Sequence, residues 1–369
     1  MNAYRRIATS LAAPVIAILI SVVITSVVIT MSGSAAGDFW GIIFSKPPNG
    51  ARAIVDIVNQ SSLIYISALA AAIGFRMNLF NIGVEGQYTM GSYVAAAVAG
   101  AAIFPGFLNI AVPLILAVLV GAGWAGIAGV LKVTRGVSEV ISTIMLNAIA
   151  ITLYGYLLDR YGQHEGNIVR STVIPVSSQL GGWVPYHRSD GAIWTLSVVA
   201  VFLGVGFWFL LKKTRFGFDL RATGQSQSAA VASGVNVNKM VMTSMLLSGG
   251  VAGLIWMPAF FGQAHSIGPT FQTGLGFTGI AVALLGRNEP VGIVFGAGLF
   301  AFLNEQSNRL QLETDISTEI VQITQGVIVL SVVVAYEVVR RYRASLDQRN
   351  VAQTLESSPP TPPPREVTA

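Results

Sequence analysis

The sequence predicts an all-α polytopic membrane protein with about ten transmembrane elements, some of them broken or half helices, and both termini in the cytoplasm. Three observations predict it. Hydrophobic residues make up 53% of the chain and charged residues 11%, with a mean hydropathy of +0.65, whereas an ordinary soluble domain is about 25% charged. Several continuous apolar runs reach the ~20 residues that cross a ~30 Å hydrocarbon core, and they lack the ~10-residue alternation of a membrane barrel. Most of the 22 lysines and arginines fall in alternate connecting segments, the bias expected of cytoplasmic loops. The same composition excludes other classes. There is no cysteine, so no disulfide and no thiolate metal site, and His164, His187 and His265 are scattered without metal-ligand spacing. The pI of about 9.6 reports membrane orientation rather than nucleic-acid binding.

The elements follow in order. Met1 to Arg6 is short and basic, and Ile7 to Met31 is too long an apolar run for a signal peptide. It reads as an uncleaved first helix. Ser32 to Arg52, with Gly37, Pro47, Pro48 and Gly50, reads as an external loop. Ile54 to Gly74 is the second span. Gly74 to Gln87 then breaks the apolar rule: Arg76, Asn78, Asn81, Glu85 and Gln87 crowd between two lipid-like runs. Irregular polar backbone survives at membrane depth only inside protein or beside a wet cavity. Glu85 therefore either lines a pathway or steadies a broken helix, with Arg76 as its expected partner. Tyr88 to Ile103 completes the third element. Leu108 to Leu131 is the fourth, with Ala122, Gly126 and Ala125, Gly129 as small-xxx-small pairs for close packing. Ser138 can cap the fifth span, where Glu139 suits the helix dipole. Asn147, two turns deeper, takes either an interhelical hydrogen bond or a place on a pathway.

Asp159 to Asp190 is the largest external loop, and Ala192 to Leu211 the sixth span, stopped by Lys212, Lys213 and Arg215. In Thr214 to Lys239, Gly224 breaks the chain, Ser226 or Thr223 caps a short helix through Ala232, and Gly234 ends it in the left-handed conformation. Such a helix is too small for a core and too polar for a span, and suits the grip of a partner. Met240 to Phe261 leaves again. Leu275 to Leu285 enters as a half-helix, Gly286 to Pro290 turns, and Val291 to Phe302 exits. Glu305 to Thr314 reads as external loop. Ile316 to Val339 is the last span, so residues 1–339 form the membrane domain and 340–369 a cytoplasmic tail, Ser/Pro-rich and disordered from about 354.

Gly274 to Gly279 fits the G-x-G-x-x-G spacing, but no strand precedes it, so the glycines read as helix packing rather than a dinucleotide site. No G-x-x-x-x-G-K-[ST] is present, so any ATP chemistry belongs to another subunit. No cluster of His, Asp and Ser suggests a membrane-bound enzyme.

Four segments carry a resemblance: Phe80 to Gln87 (FNIGVEGQ), Glu139 to Asn147 (EVISTIMLN), Gly217 to Gly234 (GFDLRATGQSQSAAVASG) and Gly279 to Pro290 (GIAVALLGRNEP). Together and in this order they resemble the permeases of ABC importers for branched-chain amino acids and simple sugars, most closely the nucleoside-type branch. The resemblance covers roughly Ile54 to Val339. It implies a multi-pass permease of the bacterial cytoplasmic membrane, without enzymatic activity or a cofactor of its own. Its implied partners are an ATPase holding ATP and Mg, a second permease, and an extracellular substrate-binding lipoprotein. It further implies a pathway lined by Asn81, Glu85, Gln87 and Asn147, and ATPase coupling through Arg221, Gly224, Ala229, Ala230 and Gly234. The implied cargo is a nucleoside. A simple sugar carried by the same architecture is the alternative, and a stand-alone secondary transporter or channel a more distant one.

Overall fold

A computed structural model of the chain describes residues 19–33, 35–45, 50–187, 191–268, 271–314, 319–335, 338 and 341. The basic N-terminus, the first part of the first apolar run and the tail beyond residue 341 lie outside the described residues. The fold is helical throughout its core. Helix α1 covers Leu19–Met31, α2 Ala36–Ser45, α3 Ala51–Phe75, α4 Val84–Ala101, α5 Leu108–Arg135 and α6 Glu139–Tyr161. Two small antiparallel hairpins follow, β1 (Gln163–Glu165) with β2 (Ile168–Arg170), and β3 (Gly182–Trp183) with β4 (Ile193–Trp194). Then come α7 (Val198–Lys213), α8 (Arg215–Gln225), α9 (Gln227–Ala232), α10 (Val237–Gly253), the single turn α11 (Met257–Ala259) continued by a π-helical turn at Phe260–Ala264, α12 (Leu275–Leu285) and α13 (Pro290–Glu313). Helix α14 covers Glu319–Ala335. Among the described residues, five helices are long and apolar enough to cross a membrane, and shorter apolar helices accompany them.

Helix α3 is the hub. It packs on α10, α12 and α13, and 78% of its apolar window is buried inside the fold, against 22% for α6. A helix apolar on every side belongs in the interior, whereas α6 turns an apolar face outward. Helices α5 and α10 form the closest crossing. Ala117, Gly121 and Ala125 meet Gly249 and Gly253, and a Cβ on Gly121 would collide with the Gly249 carbonyl. Of the small residues read from the sequence, Ala125 sits in this crossing, against Gly249. Gly126 and Gly129 face the larger Leu246, Met242 and Met245 of α10.

Several elements differ from expectation. The segment after α1 contains a helix, α2, whose Phe39, Ile42 and Ile43 join Leu303, Leu310, Ile320 and Val321 in a second small core. Residues 305–313 continue α13 rather than forming a loop. Gly224 lies in the last turn of α8, and the break falls at Ser226, which caps α9 by accepting the Ala229 N–H at 3.3 Å. Ser138 occupies the N-cap of α6 without a side-chain cap. Gly234 is left-handed, with φ of 83°. The long connection after α6 is strapped to the chain after α10 by backbone bonds from Ser171 to Ile267, Ile174 to His265 and Leu180 to Phe261.

Candidate functional site

Between α3 and α4 the chain abandons helical geometry. Asn78 takes a left-handed conformation, and α4 begins only at Val84. The exposed peptide groups of such a segment need partners when no water is present, and its polar side chains supply them. Asn81 and Gln87 exchange a reciprocal amide pair, Asn81 Nδ2 to Gln87 Oε1 at 3.0 Å and Gln87 Nε2 to Asn81 Oδ1 at 2.8 Å. Asn81 also accepts the Gly83 N–H and donates to Ser248 Oγ of α10. Asn147, reaching across from α6, accepts the Gly86 N–H at 2.8 Å and donates to the Ile82 carbonyl at 2.9 Å. Glu139, at the start of α6, pairs with Lys132 and accepts the Phe80 N–H at 3.4 Å.

Glu85 is 2% exposed. Its carboxylate accepts the N–H of Gly274 at 2.6 Å and of Gly276 at 2.8 Å, with the Tyr88 hydroxyl 3.0 Å away. Those amides are at the start of α12, where helical N–H groups have no partner in their own helix. Glu85 is also in the first turn of α4. The positive ends of two helix dipoles therefore face one buried charge. Close approach requires Gly276, because a Cβ there would overlap the Glu85 backbone nitrogen. The G-x-G-x-x-G spacing is thus a helix-packing device, with Gly279 pressed against Ser67 of α3. Arg76 does not reach Glu85. It pairs instead with Glu289, in the turn between α12 and α13.

Above the start of α12 lies a cavity of about 730 Å³. Helix α3 contributes Asp56, Asn59 and Gln60, the chain before α12 contributes Gln263, Gln272 and Thr273, and α13 and α14 contribute Asn304, Glu305, Ser307, Gln322 and Gln325. Carboxamides dominate, and each offers both donors and an acceptor. Some are held in place: Asn59 donates to the Ala192 carbonyl and accepts the Trp194 N–H, each at 3.0 Å, and Gln325 donates to Asn304 at 2.7 Å. Phe277 and Phe300 add aromatic surface. None of Asn81, Glu85, Gln87 and Asn147 lines this cavity. All four are buried: Glu85 fixes the start of α12, while Asn81, Gln87 and Asn147 tie the α3–α4 segment together and to α10 and α6. The lining residues left a partial signal, since Asp56, Asn59 and Gln60 share one face of an otherwise apolar helix by i, i+3, i+4 spacing.

At the opposite end of α3, beside Lys212, Arg215, Arg221 and Lys239, α8 and α9 enclose a concavity of about 550 Å³ lined in part by Phe218, Asp219, Ala222 and Ala229. Phe218 and Val231 are 62% and 60% exposed. The five residues expected in coupling divide. Ala229 and Gly234 are exposed. Ala230 is buried. Arg221 turns its guanidinium to the Leu211 carbonyl of α7. Gly224 lies flat on the backbone of Arg76 and Met77, with no room for a Cβ. Among the described residues no group of three His, Cys, Asp or Glu could hold a metal.

A polar cavity within an apolar helix bundle, with an amphipathic helix pair projecting at the other end, defines a multi-pass membrane permease. The chain belongs to the family described as branched-chain amino acid transport system / permease component, whose pattern matches residues 53–333. Among its relatives, the guanosine ABC transporter permease protein NupP of Bacillus subtilis is 33% identical over 88% of this chain and 93% of its own length. The nucleoside ABC transporter permease protein NupB of Lactococcus lactis is 27% identical over 88% and 90%. The glucose ABC transporter permease protein TsgB13 of Haloferax volcanii is 26% identical over 90% and 89%. No solved structure matches the chain. The protein is accordingly an ABC transporter permease subunit, and as such not itself an enzyme.

Proposed function

We propose that this chain carries nucleosides across the bacterial cytoplasmic membrane as one permease of an ATP-driven importer. The observation that carries the reading is the cavity: its carboxamides and aromatic rings match the hydrogen-bonding edges and flat face of a nucleobase, and its volume falls within the ~300–1,000 Å³ of small-molecule sites. The nucleoside permeases among the relatives support the same choice. In this reading substrate meets the residues lining the cavity, while Asn81, Glu85, Gln87 and Asn147 hold the floor beneath it. The basic end of the bundle faces the cytoplasm, so that about ten elements leave both termini inside and the cavity opens outward. The α8–α9 pair seats in a separate ATPase that holds ATP and Mg. A second permease completes the pathway, and an extracellular lipoprotein delivers substrate. Sugar import is the second reading, favoured by the glucose permease relative.

Uptake of labelled guanosine, cytidine, ribose and glucose by cells with and without the gene tests the choice. Loss of nucleoside uptake alone is expected. Loss of sugar uptake alone moves the cargo to the second reading.

A further inference from the structure

The contact between Arg76 and the turn joining α12 to α13 has no role in the site described so far. Three elements converge there. Arg76, just past the end of α3, pairs through its guanidinium with Glu289 and donates from Nε to the Asn288 carbonyl at 3.0 Å. Lys212, in the last turn of α7, lies 3.7 Å from the same Glu289 oxygen. Gly224 of α8 rests on the Arg76 backbone without space for a Cβ. The turn itself is unusual, since Arg287 and Asn288 are consecutive left-handed residues with φ of 57° and 56°. Asparagine adopts that conformation with little cost, whereas Arg287 holds it against its ordinary preference. Helices α12 and α13 then run from this turn to the cavity, which they line with Phe277, Thr278, Ala281, Asn304 and Glu305.

We propose that the Arg76–Glu289 ion pair is the joint through which movement of the α8–α9 pair is delivered to the α12–α13 hairpin and so to the cavity. The proposal rests on the ATP-driven importer reading. A stiff helix displaced at one end is displaced at the other, and α8 touches the backbone of the residue whose side chain grips the turn. The pair is half-buried, with side chains 20% and 42% exposed and the Arg76 Nη2 that meets Glu289 shielded from solvent, so removing one partner leaves the other short of a charge partner at this corner. Arg76 and Glu289 act here as positioning residues, because neither lines the cavity.

The test uses the importer assembled with its partner subunits in proteoliposomes. Glu289→Gln and Arg76→Gln are compared with the reversed pair Arg76→Glu/Glu289→Arg for uptake and for ATP hydrolysis. The expected result is roughly a fivefold or greater loss of substrate carried per ATP in each single variant, with hydrolysis retained and the ratio partly recovered in the reversed pair, where Lys212 faces the reversed charge. A second readout uses the absence of native cysteine in this chain. Thr278→Cys, in the cavity wall, is labelled with a membrane-impermeant maleimide with and without a non-hydrolysable ATP analogue. The analogue changes the labelling rate in the otherwise native chain and leaves it unchanged when Glu289→Gln is added. Glu289→Asp keeps the charge and serves both readouts if a neutral variant fails to assemble; it is expected to lie between native and Glu289→Gln. Parallel loss of uptake and hydrolysis, no loss of either, or a labelling response of native size in Glu289→Gln or Glu289→Asp overturns the proposal. Absence of ATP-dependent uptake in the native importer instead overturns the importer reading itself.

Discussion

A carboxylate with two amide donors and a tyrosine hydroxyl in reach explains how Glu85 tolerates burial without a cationic partner. The carboxylate faces the starts of α4 and α12. Glu85→Gln keeps the shape but only one acceptor oxygen, leaving one amide of the pair Gly274 and Gly276 unpaired. The expected cost is about 1–3 kcal/mol, read as a lower melting temperature of the detergent-solubilised protein, with uptake retained. Glu85→Ala removes both acceptors and is expected to be the less stable variant. Abolition of uptake by Glu85→Gln with an unchanged melting temperature would place the charge on the pathway instead. At this scale the sequence was legible in kind but not in place. An acid flanked by glycines at membrane depth signalled a special site, and Asn147 signalled a deep polar contact. Nothing in the local pattern revealed that the carboxylate partners are backbone amides 189 and 191 residues away, or that Arg76 belongs to Glu289.

Elements were legible wherever their ends carry their own chemistry. Leu275 to Leu285 reads as a half-helix because glycine precedes it and Gly286 ends it, and α12 has those bounds. The extension of α13 through Glu313 was missed because Asn304, Glu305 and Ser307 look like solvent-facing loop. They are polar because they face a cavity, a difference that composition alone does not contain. Helix α2 was missed for the converse reason, since its apolar residues sit between Gly- and Pro-marked turns. Crossings of α5 with α10 depend on backbone contact, which glycine permits. Gly121→Ala is expected to lower the melting temperature by forcing the two helices apart, at a cost of about 1–3 kcal/mol for overpacking. Gly123, on the same helix with open space at its Cβ position, is the control. Gly123→Ala should be neutral or stabilising by up to about 1 kcal/mol through helix propensity. Equal effects of the two substitutions would contradict the packing assigned to this crossing.

Across the whole molecule, a polar cavity stands at one end of α3 and the α8–α9 pair at the other, joined by the corner at Arg76. The class of protein was legible because apolar length and charge bias are properties of the entire chain. The cavity was not, because it is assembled from α3, α12, α13 and α14, far apart in sequence. Orientation is open to direct measurement in this cysteine-free chain. Ser228→Cys in α9 should react with an impermeant thiol reagent only from the cytoplasmic side, and Trp183→Cys in β3 only from outside. The reverse pattern would invert the assignment of both ends. The most direct test of the central claim is accumulation of labelled guanosine in proteoliposomes holding this chain with its ATPase, second permease and binding protein. Uphill accumulation that requires ATP, is competed by unlabelled nucleosides and is indifferent to glucose is the expected result. Accumulation that follows an imposed ion gradient and ignores ATP would contradict it.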